Sequence, residues 1–309
     1  MFVDLCNELA KTTSVTALTY PNPALIERLD PTVQIVTIPS ASRYNLRNYW
    51  HIYQIVRNGG FDIINTHCAK ASEIIYRMHR LLGVPHVATK HNPRKGRVFN
   101  KIRHVTAVSI AVANTVRHGA TVIYNGITRQ PLAPPQPRSG PFRILAVGRL
   151  DPIKGFDLLI DQAANIQSDF LLEIAGDGPA ADQLRLQIDA AGLTHKIKLL
   201  GFCSDIPNLM ARSDLVIISS HSEGFPLVLV ESLNYANVLI STPVSDAAKI
   251  ISPLFLADKS DLVNKAMQIA GDYAAYREQF KTIQDSQRDR FTIAAAAASY
   301  LAFYQSVRG

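Results

Sequence analysis

Glu223 and Glu231 stand eight positions apart in Glu223-Gly-Phe-Pro-Leu-Val-Leu-Val-Glu231, straddling a glycine and a proline and following the apolar run 215–219. That order predicts a strand, a short turn and a helix start. Pro226 suits the first helical position, Gly224 lets the backbone approach a ligand, and the first-turn N–H groups face whatever lies beyond the strand. The chemistry on offer is an anion site with a carboxylate on each side. Glu223 sits in the loop, and Glu231 lies about one and a half helical turns in, within reach of a ribose. Taken alone, the spacing fits equally an amphipathic helix with one exposed and one capping carboxylate.

A second loop of the same kind precedes it. Phe142-Arg-Ile-Leu-Ala-Val-Gly148 reads as a buried parallel strand, followed by Arg149-Leu-Asp-Pro-Ile-Lys154-Gly155 and a helical run from Phe156 to about Ile166. Arg149 and Lys154 flank a tight turn at a helix start, so together they can neutralise a diphosphate, with Gly155 and the helix N-terminus adding backbone donors. A solvated loop with ordinary surface charges is the alternative for either loop alone; the pair in one strand-helix array makes the diphosphate site the stronger reading.

With these loops, Gly176-Asp-Gly-Pro179, Leu200-Gly-Phe202 and the Asn125-Gly126 pair in Val122-Ile-Tyr-Asn-Gly-Ile127 complete an ordered set. The chain resembles the retaining glycosyltransferases of family 4, which have the GT-B fold, over nearly its whole length from Phe2. The resemblance implies an α/β protein of two Rossmann-like domains facing a central cleft, with the last helix returning to the first domain. It implies further that Arg149 and Lys154 hold a nucleotide-sugar's diphosphate, and that Glu223, with the backbone of Gly224 and Phe225, positions the transferred sugar. Glu231 then binds the ribose, Phe202 lies beside the nucleobase, and Gly148, Pro226 and Leu227 complete the donor's contacts. His91, in Ala88-Thr-Lys-His-Asn92, falls where the family often places a histidine near the reacting sugar, although a lone histidine is more often structural.

The chemistry that follows is transfer with retention. As the bond to the diphosphate breaks, negative charge grows on its oxygens, where Arg149, Lys154 and helix N-terminal N–H groups stabilise it. No Asp-x-Asp pair occurs in the chain, which removes the usual ligand motif of metal-dependent glycosyltransferases, so no cofactor and no metal are expected. By analogy with the family, the acceptor hydroxyl attacks on the face the diphosphate leaves, a phosphate oxygen assists deprotonation, and Glu223 orients the donor. A glycosidase dyad is disfavoured, because a loop and a second-turn residue do not hold their carboxyls about 5 Å apart.

Length and composition agree with this reading. With 309 residues, 47% of them hydrophobic, the chain can fill two cores. Cys6, Cys68 and Cys203 form no Cys-x-x-Cys or Cys/His cluster, so reduced thiols and a cytoplasmic location are expected. The N-terminus has no basic region ahead of an apolar core, and no apolar run approaches the roughly 18 residues that span a bilayer; the chain reads as neither exported nor transmembrane.

Charge is divided unevenly. Residues 1–138 carry 17 Lys and Arg against 6 Asp and Glu, and residues 139–309 carry 15 against 19. Within the basic half, the segment 90–104 holds six cations with Val98, Phe99 and Ile102 interleaved. Such a segment suits anionic headgroups on the inner face of the cytoplasmic membrane, or a phosphorylated lipid-linked acceptor, each cation contributing on the order of 1 kcal/mol. A solvated loop is the alternative. No reading helix, aromatic RNA-binding pair or zinc spacing supports nucleic acid as a partner.

The elements that must position these residues alternate. Short strands are expected near 14–20, 33–38, 61–65, 86–89, 104–108 and 121–124, and then near 142–148, 170–175, 196–201, 214–219 and 238–241. Residues 130–141 pack five prolines into twelve positions, which can continue neither a helix nor a central strand. Expected boundaries are therefore a first domain at 1–130, a linker at 131–141, a nucleotide-sugar domain at 142–290 and a final helix at 291–309.

Three features test the reading. Gly176-Asp-Gly-Pro-Ala-Ala181 fits the dinucleotide fingerprint of an oxidoreductase, but it falls in the second strand-helix unit of its half and lacks a timely ribose carboxylate. The segment 1–10 already reads as the family's first helix, so the usual first strand and glycine-rich loop are expected to be missing. Thr242-Pro-Val-Ser-Asp-Ala-Ala248 stands where the family has a Gly-Gly turn. The expected activity is a metal-independent, retaining transfer of a hexose-type sugar from a nucleotide diphosphate, UDP above others, to a cell-envelope glycan or glycolipid such as lipopolysaccharide. The alternatives are a non-catalytic nucleotide-sugar binder and a UDP-sugar epimerase on the same fold.

Overall fold

The computed structural model describes residues 1–38, 42, 44–94, 96–134 and 140–308, and divides them into two units. The first comprises 1–128 and 291–309, and the second 129–290. Part of the proline-rich stretch, 135–139, lies outside the described residues. Its described start is tethered to the second unit: Gln130 N–H donates to the Tyr235 hydroxyl (2.7 Å), and Ala133 N–H donates to Asn208 Oδ1 (2.8 Å).

In the first unit, strands β1 (Thr16–Thr19) and β2 (Gln34–Thr37) pair in parallel. A four-stranded parallel sheet runs in the order β3 (Ile64–His67), β4 (His86–Lys90), β5 (His104–Ala107), β6 (Thr121–Val122). The helices Leu46–Gly59 and Ala69–Leu82 bury Ile52, Val56, Ile74, Ile75 and Met78 in one cluster, and each ends at a left-handed glycine, Gly60 or Gly83. β3 starts three residues later than expected. Its polar end, Asn65-Thr66-His67, stays in the sheet because side chains satisfy it: Thr66 Oγ1 lies 2.9 Å from both Ser72 Oγ and His86 Nε2.

The basic segment corrects an expectation. Phe99 and Ile102 are buried with Ala88, Val105 and Val116, and Lys90 is buried too, donating to the Thr115 hydroxyl. Its apolar residues therefore fill the core and are not available to a lipid surface, while Arg94, Arg97, Lys101 and Arg103 are exposed.

The final helix, Ile293–Arg308, belongs to the first unit, where Ile293, Ala297 and Tyr300 pack with Leu5, Leu9 and Ile123. Gly126 makes the return possible. A Cβ there would collide with the Thr292 carbonyl oxygen, and Ile127 exchanges backbone bonds with Phe291 and Ile293 at 3.0 and 2.9 Å.

The second unit is one five-stranded parallel sheet, built from β7 (Phe142–Val147), β8 (Phe170–Ala175), β9 (Ile197–Gly201), β10 (Leu215–Ile218) and β11 (Leu239–Ser241) in the order β11-β10-β7-β8-β9. β10 is buried throughout, as expected of a strand covered on both faces. The winding reverses between β7 and β10, so the loops leaving these two neighbours open the crevice where doubly wound sheets take ligands.

Candidate functional site

Both loops singled out from the sequence leave the carboxyl ends of β7 and β10, on either side of that reversal. After β7, Asp151 caps a single 3₁₀ turn, Pro152–Lys154, and Gly155 then starts the helix Phe156–Ala163. Gly155 has φ +65°, and a Cβ there would meet the Ser219 carbonyl oxygen at 2.5 Å, so only glycine fits. The loops are stapled together: the Ser219 hydroxyl donates to the Lys154 carbonyl (2.7 Å), and His221 N–H donates to the Ile153 carbonyl (2.7 Å).

Lys154 and Glu223 meet across this junction. Lys154 Nζ lies 2.5 Å from Glu223 Oε1, and the Ser220 hydroxyl donates to the same oxygen at 2.7 Å. Arg149, on the same loop, is exposed and makes no side-chain hydrogen bond or ion pair with a described residue. The site thus offers one tethered and one free cation.

Pro226 caps the next helix and is not its first residue; Leu227 begins the helix Leu227–Tyr235. Glu231 is consequently the fifth helical residue, somewhat shallower than expected. Burial pushes its carboxyl pKa up, and no described side chain bonds to it, which leaves a desolvated carboxylate facing no donor of its own. Phe225 is buried, while Gly224 accepts a hydrogen bond from the Ser245 hydroxyl at 2.6 Å. Ser245 has φ +51°, a conformation that favours glycine. A strained serine thus holds the Glu223 loop through its hydroxyl.

The Gly176–Gly178 loop packs under the first loop. A Cβ on Gly176 would collide with the Gly148 carbonyl, Leu150 N–H donates to the Asp177 carbonyl (2.9 Å), and Ala180 N–H donates to the Leu150 carbonyl (3.0 Å). Its glycines therefore serve loop-on-loop packing beside Gly148. Phe202, following β9, is an apolar ring 82% exposed.

His91 lies in the first unit, just past β4. Its Nε2 is 3.0 Å from Nδ1 of His67, the last residue of β3. The structure therefore groups Gly148, Arg149, Lys154, Glu223, Gly224, Phe225, Pro226, Leu227 and Glu231 around the carboxyl ends of β7 and β10, and gives His91 a histidine partner of its own. Sequence reading missed Ser220, Ser245 and His67. The signal for His67 was its position, since β3 and β4 are adjacent parallel strands and each leads to a histidine at its carboxyl end. Among the described residues, no three His, Cys, Asp or Glu side chains converge as metal ligands.

The second unit is thus a doubly wound α/β sheet that gathers two cations and two carboxylates at its switch point. The chain belongs to the glycosyltransferases: residues 1–130 match the model of Glycosyltransferase Family 4, and residues 131–283 that of Glycosyl transferases group 1. It is 29% identical over 242 residues to an uncharacterized glycosyltransferase of Methanocaldococcus jannaschii, an alignment covering 70% of this chain and 67% of that one. It is 25% identical over 255 residues to the UDP-Gal:alpha-D-GlcNAc-diphosphoundecaprenol alpha-1,3-galactosyltransferase of Escherichia coli, covering 67% and 66%. The chain thus spans about two thirds of either relative. Among solved structures, Anabaena HepE in complex with UDP-glucose superposes with a TM-score of 0.86 at 20% identity, covering 99% of this chain and 94% of that one, and the shared fold is GT-B.

Proposed function

We propose that this glycosyltransferase moves a hexose-type sugar from UDP to a lipid-linked envelope glycan with retention of configuration and without a metal ion. The observation that carries the reading is the junction of Arg149, Lys154 and Glu223 at the switch point, where two cations and a carboxylate stand together, the set that a departing diphosphate and its sugar call for. Arg149 and Lys154 take up the charge that develops on the leaving diphosphate, the task a divalent ion performs elsewhere. Glu231 accepts from the ribose hydroxyls, and Phe202 offers its exposed ring to the base. Glu223 orients the sugar, the acceptor hydroxyl attacks on the leaving-group face with a phosphate oxygen taking its proton, and the family resemblance assigns His91 to the same reaction.

UDP is supported by the donor in the E. coli relative's name and by the ligand in the HepE structure. The acceptor class is supported by the diphosphoundecaprenol in the same name, and retention by its alpha linkage. Arg94, Arg97, Lys101 and Arg103 are the exposed cations of the basic segment that would face a diphosphate lipid or the anionic membrane surface holding it. No described helix is long and apolar enough to cross a membrane.

The test is nucleotide release from a panel of UDP-, GDP- and ADP-sugars in the presence of EDTA, with a short-chain diphosphate lipid as acceptor. UDP release that EDTA does not suppress, with an axial product linkage by NMR, supports the reading. Nucleotide binding without turnover of any donor would replace it with a non-catalytic binder.

A further inference from the structure

His91 is held by a hydrogen-bonded chain that leaves its ring one protonation pattern. Thr89 Oγ1 accepts from the Thr106 hydroxyl at 2.9 Å and from the Tyr300 hydroxyl at 3.4 Å, so its own proton goes to Asn65 Oδ1 at 3.1 Å. That fixes the Asn65 amide. Its nitrogen therefore faces the Tyr304 hydroxyl at 2.7 Å and Nε2 of His67 at 3.4 Å.

An amide nitrogen only donates, so Nε2 of His67 accepts and is bare. Burial pushes the His67 pKa down to about 3 and lowers that of His91 as well, which keeps both rings neutral. A neutral imidazole with a bare Nε2 carries its proton on Nδ1. That proton points at Nε2 of His91, 3.0 Å away. His91 Nε2 is then the acceptor, and its one proton sits on Nδ1. The opposite direction would set the His67 Nε2–H against the Asn65 amide protons.

The surroundings hold this geometry. The His67 ring meets the edge of Phe2 at 5.4 Å and packs near Tyr300 at 6.5 Å. Cys68, the next residue, has φ +92°, a conformation rarely adopted by a residue with a side chain. Its carbonyl accepts from both the backbone N–H and the hydroxyl of Ser72, at 3.1 and 2.8 Å. The chain is strained where β3 ends and anchored immediately after.

We propose that His67 is a positioning residue: it donates from Nδ1 to Nε2 of His91, holds His91 in the Nδ1–H tautomer, and so makes His91 a hydrogen-bond donor, and not an acceptor, toward a hydroxyl oxygen of a bound sugar. His91 in this state cannot take a proton from the acceptor through Nδ1, which leaves that task to the donor's phosphate. The role at the sugar rests on the transferase reading above; the tautomer does not.

The test is a two-bond ¹H–¹⁵N spectrum of the full chain labelled at histidine nitrogens, recorded near pH 7.5, beside kinetics with the turned-over UDP-sugar. The expected spectrum shows His91 protonated at Nδ1 and bare at Nε2. His67→Asn places an amide N–H where Nδ1 stood, and should keep that pattern and kcat within threefold. His67→Phe keeps the ring volume without the donor, and should move His91 to the usual Nε2–H form and lower kcat at least tenfold with KM for the donor unchanged. A His91 proton on Nε2 in the unmodified protein overturns the proposal, as does a His67→Phe variant that leaves the His91 signals in place. Should His67→Phe fail to fold, the unmodified and His67→Asn spectra decide. An Nδ1–H His91 in a protein that turns over no donor would refute the sugar role and the transferase reading together, without touching the tautomer.

Discussion

Lys154 and Glu223 form an ion pair at 2.5 Å, with only 22% and 14% of their side-chain surfaces exposed. The two residues to which the proposal gives opposite ends of the donor, diphosphate and sugar, thus neutralise each other. On the proposed reading, a diphosphate would compete with the carboxylate for the ammonium, and the Ser220 hydroxyl on the same oxygen would keep that carboxylate hydrogen-bonded.

The first prediction concerns this exchange. Glu223→Gln releases Lys154 from its counter-charge, so UDP should bind severalfold more tightly by calorimetry while transfer falls at least a hundredfold, because the sugar loses its orienting carboxylate. Weaker UDP binding in this variant would show that the pair organises the phosphate site and does not compete with it.

Arg149 makes no interaction with a described side chain that its removal could disturb. Arg149→Ala should therefore leave the melting temperature within a degree or two and lower transfer by two or more orders of magnitude, the scale of losing a leaving-group contact worth about 3 kcal/mol. Full turnover would sink the assigned role.

Burial of Glu231 carries a stability cost. Its carboxyl pKa is raised by burial, so the folded state binds its proton more tightly than the unfolded chain. The stabilising contribution is present below the unfolded value of about 4.3 and is lost as pH rises through the folded one. At pH 7 the ionised group destabilises the fold. Glu231→Gln should melt at the same temperature or higher and bind UDP about tenfold more weakly, with differential scanning fluorimetry and calorimetry reading the two effects.

Acid should weaken the first unit. Burial lowers the pKa of His67 to about 3 and of His86 to about 4, so between those values and the free imidazole's value near 6.5 the unfolded chain binds more protons. Stability is complete above about pH 6.5 and declines as pH falls toward 4. His86→Gln, which can keep a bond to Thr66, should flatten the decline in a pH series of thermal melts; an unchanged slope would assign it to other groups.

Much of the second unit was legible because buried parallel strands are continuous apolar runs: β7 and β10 were placed within a residue or two, and with them the loops that hold Arg149, Lys154 and Glu223. What the sequence hid was contact between loops. Lys154 and Glu223 touch only because β7 and β10 are neighbours, and strand order is a tertiary fact. β3 was misplaced because Asn65, Thr66 and His67 look like a loop until their partners on Thr89, Ser72 and His86 are in place. Phe99 and Ile102 misled in the opposite sense, since cations alternating with apolar residues read as a surface while Ala88, Val105 and Val116 draw those rings and branches inside.

The first unit's dependence on the helix Ile293–Arg308 has a bearing on how the protein is made. Residues 129–290 form a contiguous unit that can fold as soon as it leaves the ribosome, whereas residues 1–128 lack Ile293, Ala297 and Tyr300 until the segment after residue 290 has followed it. The half synthesised first is thus the half finished last, and through most of synthesis Leu5, Leu9 and Ile123 offer an apolar surface to chaperones in place of the helix still to come.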